Sequence, residues 1–175
     1  MREWPILFRA RLVKANREGR KDVTRRLSPK WAEAKPGDLI VVRETWRADT
    51  AWDRNKPRDI GRGAMIWYEA DGEAPGEFGK LRPSIFLPRW ASRDTYPIVS
   101  VRQERLQDIT EDEARREGFS SDPVPARVNG KLGHVAFFDP LHWYAHTWEA
   151  INGAKAPWRS NPTVYVVTYE NSVKP

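Results

Sequence analysis

Apolar residues fall in short runs along this chain, separated by long charged stretches, and the runs follow two different periods. Pro5-Ile6-Leu7-Phe8 is a continuous apolar run of strand length, whereas Arg11 to Glu18 spaces Leu12, Val13 and Ala15 as a short helix does. Gly19 follows where a helix C-terminal glycine belongs. Lys21 to Arg26 has no apolar periodicity and reads as a loop or short extended segment displayed at the helix end. Pro36-Gly37-Asp38 is a turn signal, and the β-rich run 39–46 after it predicts a central strand with a buried apolar start. Further strands are predicted at 65–68, 96–101 and 163–169, with a polar insertion at 47–63.

Two more helices carry capping signals. Thr110-Glu111-Asp112-Glu113 is a capping box, and Gly118 closes that helix after Glu117. Asp139-Pro140 supplies the N-cap and first residue of a helix whose apolar face is Leu141, Tyr144, Trp148 and Ile151, ended by Asn152-Gly153. The intervening 119–138 is rich in proline and glycine and reads as loop. Strands of varied spacing with two or three interspersed helices predict a single α+β domain over 1–175, built around a small mixed barrel.

Composition narrows the chemistry. Nine Trp, six Phe and five Tyr exclude a disordered chain, and the absence of Cys removes disulfides, thiolate zinc sites and a cysteine nucleophile. No apolar run approaches the length of a membrane span and the N-terminus lacks a signal-peptide core, so the expectation is a cytoplasmic protein without membrane contact. The net charge of +6 favours a polyanionic partner, although a basic surface serves solubility equally well.

Gly19-Arg20-Lys21-Asp22-Val23-Thr24-Arg25-Arg26 concentrates an ammonium, a hydroxyl and three guanidinium groups in eight residues. Such groups suit phosphate oxygens, and a lysine crowded by cations and partly buried can serve as base for a threonine nucleophile. A solvated basic turn is the plainer reading of the same residues.

The pattern G-R-K-x-x-T-R-R after a short helix, followed by Lys35-Pro36-Gly37-Asp38 and a strand ending at Glu44, resembles the ASCH domain family, a relative of the PUA fold. The likeness extends through 42–46, 82–93, 104–109, the 110–118 helix and the last strand, leaving variable stretches near 47–80 and 119–138. In this it is similar to the longer ASCH proteins of tailed bacteriophages and prophages, for which the host cytoplasm would be the location. The resemblance implies a PUA-like β-barrel with a cleft beside the G-x-K-x-x-T segment and no cofactor. Some compact members are amidohydrolases that remove the acetyl group from N4-acetylcytidine, and at least one relative is reported as a ribonuclease. Carried over by motif, the catalytic residues fall on Lys21, Thr24 and Glu117. The implied partner is a modified nucleoside or single-stranded nucleic acid, RNA above all.

Asp22 stands where the family often has threonine, and its charge beside Lys21 is expected to raise the lysine pKa. Arg25 and Arg26 are candidates for substrate binding. Glu44 is either a second cleft carboxylate or a structural ion pair. Trp46 and Trp90 can stack on a base or pack in the core, and Arg89 and Arg93 can hold phosphate or sugar. For Glu117, proton transfer competes with an ordinary helix-end ion pair to Arg115 or Arg116. His142 and His146 lie four apart on one predicted helix, but the H-E-x-x-H signature is absent and no metal is expected. Three functions remain open: an amidohydrolase on N4-acylated cytidine, a module that binds RNA or a modified base without turnover, and last a ribonuclease, for which the sequence offers neither a His pair flanking a basic cleft nor an acidic metal cluster. The direction in which Glu117 points separates the first two.

Overall fold

A computed structural model describes residues 1–128 and 131–171. In chain order the elements are β1 (Glu3–Leu7), α1 (Ala10–Arg17), β2 (Val23–Arg26), β3 (Leu39–Arg43), β4 (Trp46–Ala48), β5 (Ile66–Tyr68), β6 (Thr95–Arg105), α2 (Glu111–Arg116), β7 (Val124–Val128), β8 (Lys131–Val135), α3 (Pro140–Asn152) and β9 (Thr163–Tyr169). The fold is mixed α+β, as the alternation of periods predicts.

The principal sheet runs β1-β3-β6-β9-β2, antiparallel except for the β1–β3 pair. Its central strand β6 does two jobs. Residues Thr95–Pro97 pair with β3, while Ile98 and Ser100–Arg105 pair with β9, and the register slips between Ile98 and Ser100. The extra residue, Val99, is 52% exposed. A bulge of this kind bends the strand and increases its twist. The sheet is open, because β1 and β2 are edges with no ladder between them.

Burial follows the pleat. Trp4 and Ile6 on β1, and Tyr96 and Ile98 on β6, point into the main core. Val164, Val166, Val167 and Tyr169 bury both faces of β9, as expected for an inner strand covered on each side. On α3 the covered face is Trp143, Tyr144, Thr147 and Trp148, whereas Ile151 is 41% exposed, so the predicted stripe is rotated by a residue.

Two stretches expected to be irregular are folded. Residues 124–128 and 131–135 form a hairpin. The polar insertion contributes to a satellite core of Trp46, Ala48, Ile60, Ala64, Leu87 and Ala91, flanked by the β4–β5 ribbon. The strands β7 and β8 are too interrupted by proline, charge and glycine for periodicity to reveal, whereas β5 lies within the run 65–68 expected as a strand.

Both α1 and α2 end in a glycine with positive φ, Gly19 at 74° and Gly118 at 98°. At α1 the Gly19 N–H bonds Asn16 O and the Arg20 N–H bonds Ala15 O, a Schellman closure. The two ends abut: a Cβ on Gly118 would lie 2.8 Å from Ala15 Cβ and 3.4 Å from Lys21 Cβ. Gly118→Ala combines a disfavoured backbone with a steric clash. It is expected to cost about 1–3 kcal/mol and to lower the thermal unfolding midpoint by several degrees, roughly 2–4 °C per kcal/mol. An unchanged melting temperature would show that the helix ends are not packed this way.

Candidate active site

The tight closure of α1 sends the chain directly past the end of α2. Lys21 and Glu117 face each other as an isolated antiparallel bridge, and the Asp22 N–H donates to Arg116 O at 3.1 Å. The next four residues then become β2, with Thr24 opposite Val167 and Arg25 opposite Val166 on β9. The octapeptide is therefore extended in its second half as anticipated, but it is largely interior instead of displayed.

Lys21 is fully buried. Its Nζ donates to Val23 O at 2.6 Å, Glu117 O at 3.0 Å and Glu117 Oε2 at 2.7 Å. Burial pulls the amine below its ordinary value of 10.5, with Glu117 opposing. Two of the three acceptors are backbone carbonyls, which have no proton to give, so the geometry describes an ammonium with every hydrogen engaged. The Asp22 carboxylate is turned to Arg116, at 2.8 and 3.1 Å, and Lys21 is on balance lowered by burial and not raised.

Arg25 is the second cation on Glu117, at 3.3 Å from Oε1. Its side chain is wholly enclosed, and it also donates to Glu104 Oε1 at 2.8 and 2.6 Å and to Glu113 Oε2 at 2.6 Å. Arg102 closes the network by pairing with Glu104 and Glu113. Glu113 is thus a cap residue and a counter-ion at once, since its carboxylate also accepts from the Thr110 N–H.

Arg26 differs from both neighbours. Among the described residues no carboxylate pairs with it; its Nη2 reaches only Leu7 O at 3.4 Å, and its enclosed Nε has no partner. Burial lowers its pKa.

These groups surround a cavity of about 320 Å³, at the lower end of the roughly 300–1,000 Å³ usual for small-molecule sites. Leu7 and Phe8 come from the end of β1, Thr24, Arg25 and Arg26 from β2, Glu117 from the end of α2, and Trp143, Tyr144, Thr147 and Trp148 from α3. The cavity occupies the seam between the two edges of the open sheet, with α3 across it. Burial and the Glu117 carboxylate push the Tyr144 phenol well above its ordinary value of 10.0, so it keeps its proton.

The structure brings Thr24, Glu117, Arg25 and Arg26 onto one lining, with Lys21 bonded to Glu117, and leaves the remaining candidates elsewhere. Lys21 supports the cavity from behind and is not on its lining. Glu44 is a buried ion-pair partner, held by Arg93 at 2.8 and 2.9 Å, and Arg93 in turn binds Asp71 at 2.6 and 2.9 Å. Arg93 lies 3.8 Å over the Tyr68 ring, so it is occupied on its donor edge and on its face. Trp46 is 0% exposed in the satellite core, where no base can reach it, and Trp90 packs against the same core. Arg89 forms a surface pair with Glu3 at 2.8 Å. His142 points outward at the start of α3 while His146 packs on Phe137, and no group of three metal-ligating side chains exists among the described residues.

Glu104, Glu113, Trp143, Tyr144 and Thr147 escaped sequence reasoning as site residues. Tyr144 gave a signal, as part of an apolar helix face, but one indistinguishable from core. No helix among the described residues is long and apolar enough to cross a membrane. No family model, curated protein or solved structure matches this chain.

Arg25 holds three carboxylates together, which makes it the most sensitive position of the network. Arg25→Met is expected to cost about 3–5 kcal/mol at neutral pH, the usual penalty for breaking a buried pair. Burial would raise Glu113, yet Arg25 and Arg102 bring it below 4.5. Its contribution is therefore complete above pH 4.5 and lost as pH falls through the lower folded value. The gap in melting temperature between wild type and Arg25→Met should narrow below pH 4.5. A gap independent of pH would mean that the carboxylates do not depend on Arg25.

Proposed function

We propose that this protein is an amidohydrolase that removes the acyl group from an N4-acylated cytidine, as the free nucleoside or within nucleic acid, on a fold related to the PUA-like barrel its sequence resembles. The observation that carries this reading is the convergence of Glu117, Thr24 and Arg26, with which no carboxylate among the described residues pairs, on one cavity of about 320 Å³. A carboxylate turned into a small cavity is suited to proton transfer and poorly suited to phosphate.

The roles differ from those the motif implies. Lys21, with all three hydrogens engaged, is the counter-ion that holds Glu117 and not the base. Glu117 takes a proton from a water molecule as that water attacks the acyl carbon, with Thr24 aligning the water. The carbonyl oxygen gains negative charge beside the Arg26 guanidinium, which no carboxylate among the described residues neutralises. Collapse breaks the C–N bond, and Glu117 passes its proton to the departing exocyclic amine. The products are a carboxylic acid and cytidine.

One observation favours the alternative of a binding module without turnover: both Glu117 oxygens are already engaged, by Lys21 and Arg25. Incubation with N4-acetylcytidine and N4-acyl deoxycytidines, following loss of the amide chromophore, separates the two. The hydrolase should turn over at least one of them, and Glu117→Gln should lower kcat by about 10²–10⁴-fold, the range for general acid–base catalysis. Failure to hydrolyse any N4-acylcytidine would sink this reading. The binder instead predicts salt-dependent affinity for single-stranded RNA that falls in Arg26→Ala. Arg25 and Arg89 are held by carboxylates of the protein itself.

A further inference from the structure

The cavity beside Glu117 continues past α3 and the start of α1. A second pocket, of about 160 Å³, shares Arg9, Leu12, Thr147 and Ile151 with it, so the two meet at a neck whose apolar sides are Leu12 and Ile151. Beyond the neck the lining includes Arg11, His146 and Pro125, and among the described residues no carboxylate lines it. Arg9 donates to Ala150 O at 2.8 Å through Nη2 and forms no ion pair among the described residues. Arg11 makes neither a hydrogen bond nor an ion pair there, and its Cζ lies 5.9 Å from the centre of the Trp143 ring. Burial lowers the Arg11 pKa and the charge of Arg9 lowers it further, while Asp122 opposes both without pairing with it. These two guanidinium groups also stand at the start of α1, which has no side-chain cap and no acidic residue in its first turn. Cations at that end oppose the helix dipole and repel each other, and an anion beside them relieves both penalties.

We propose that this second pocket is an anion subsite, which takes the terminal carboxylate of an elongated ligand whose other end occupies the Glu117 cavity. Arginine suits a carboxylate because its paired N–H donors match the two oxygens. The neck between Leu12 and Ile151 offers apolar contact to the methylenes of an aliphatic chain and nothing to a second charge. Glu117 disfavours an anion at its own end of the space, and Arg9 and Arg11 favour one at the other, so charge alone sets which way the ligand lies. The subsite rests on the proposed hydrolysis only in calling the Glu117 end the reacting one. With that reading, the group removed is an acyl chain ending in a carboxylate. Water adds to the acyl carbon, the C–N bond breaks, and the products are a dicarboxylic acid and the amine.

The test is calorimetric titration of the full chain with succinamic, glutaramic and adipamic acids, simple amides that end in a carboxylate, and with hexanamide, which lacks one. At least one acid should bind about 10-fold more tightly than hexanamide, the worth of a charge-assisted hydrogen bond. The chain length that binds best reports the span across the neck. That advantage should vanish in Arg11→Gln and in Arg9→Gln, and persist in Arg62→Gln, which removes an exposed cation elsewhere. Arg9 is exposed, so its variant keeps the test valid should Arg11→Gln fail to fold. The subsite is overturned if no acid binds, if hexanamide binds equally well, or if the advantage survives both pocket variants or falls as much in Arg62→Gln. Inorganic phosphate binding more tightly than every acid, with the same sensitivity to Arg9 and Arg11, would overturn the carboxylate in favour of a phosphate. None of these probes contains cytidine. Their binding stands whether or not N4-acetylcytidine is hydrolysed, and their failure to bind leaves that hydrolysis untouched.

Discussion

The structure depends on one buried carboxylate. Glu117 lies at the end of α2 between Lys21 and Arg25, and the three together join the exit of α1, the start of β2 and the last turn of α2. Ion pairs this deep carry a large desolvation cost, and they persist only when every remaining donor and acceptor finds a partner. Here that condition is nearly met. Lys21 satisfies three acceptors, and Arg25 spreads its donors over Glu104, Glu113 and Glu117. With Arg102 included, three cations face three carboxylates. Arg26 is the cation left over, and it lines the cavity. The charge balance around Glu117 thus leaves one cation without a carboxylate among the described residues.

The cavity itself is a product of sheet geometry. A flat five-stranded sheet would carry β1 and β2 far apart on opposite edges. The slip at Val99 bends β6 where it exchanges one neighbour for the other, and both edges come to line the same space. Laid across this gap, α3 supplies an aromatic wall of Trp143, Tyr144 and Trp148.

Local signals in the sequence carried a good deal of this. The capping box at Thr110, the glycines at 19 and 118, the proline after Asp139 and the β-branched run at 163–169 each act within a few residues, and each element formed where it was expected. Spacing could not convey which way a charged side chain faces. Arg25, Arg26, Arg89 and Arg93 look alike in the sequence, yet one is a buried hub, one is unpaired in the cavity, one forms a surface pair and one clamps Glu44. Their partners lie far away along the chain, so the difference is set by tertiary pairing alone. Trp46 shows the same limit, since core packing and base stacking call for the same residue.

The pairing of β2 with β9 has a consequence in time. Thr24 acquires its ladder partner only when Val167 is available, after almost all of the described chain has been made. Contacts this distant are slow to form, because the loop between them must be ordered before they return any stability. Lys21 and Arg25 meet their carboxylates at 104–117 earlier in the chain, but β2 cannot enter the sheet until 163–169 is present. The β2 wall of the cavity consequently depends on residues 163–169: a form lacking them keeps the motif but loses the ladder that holds it.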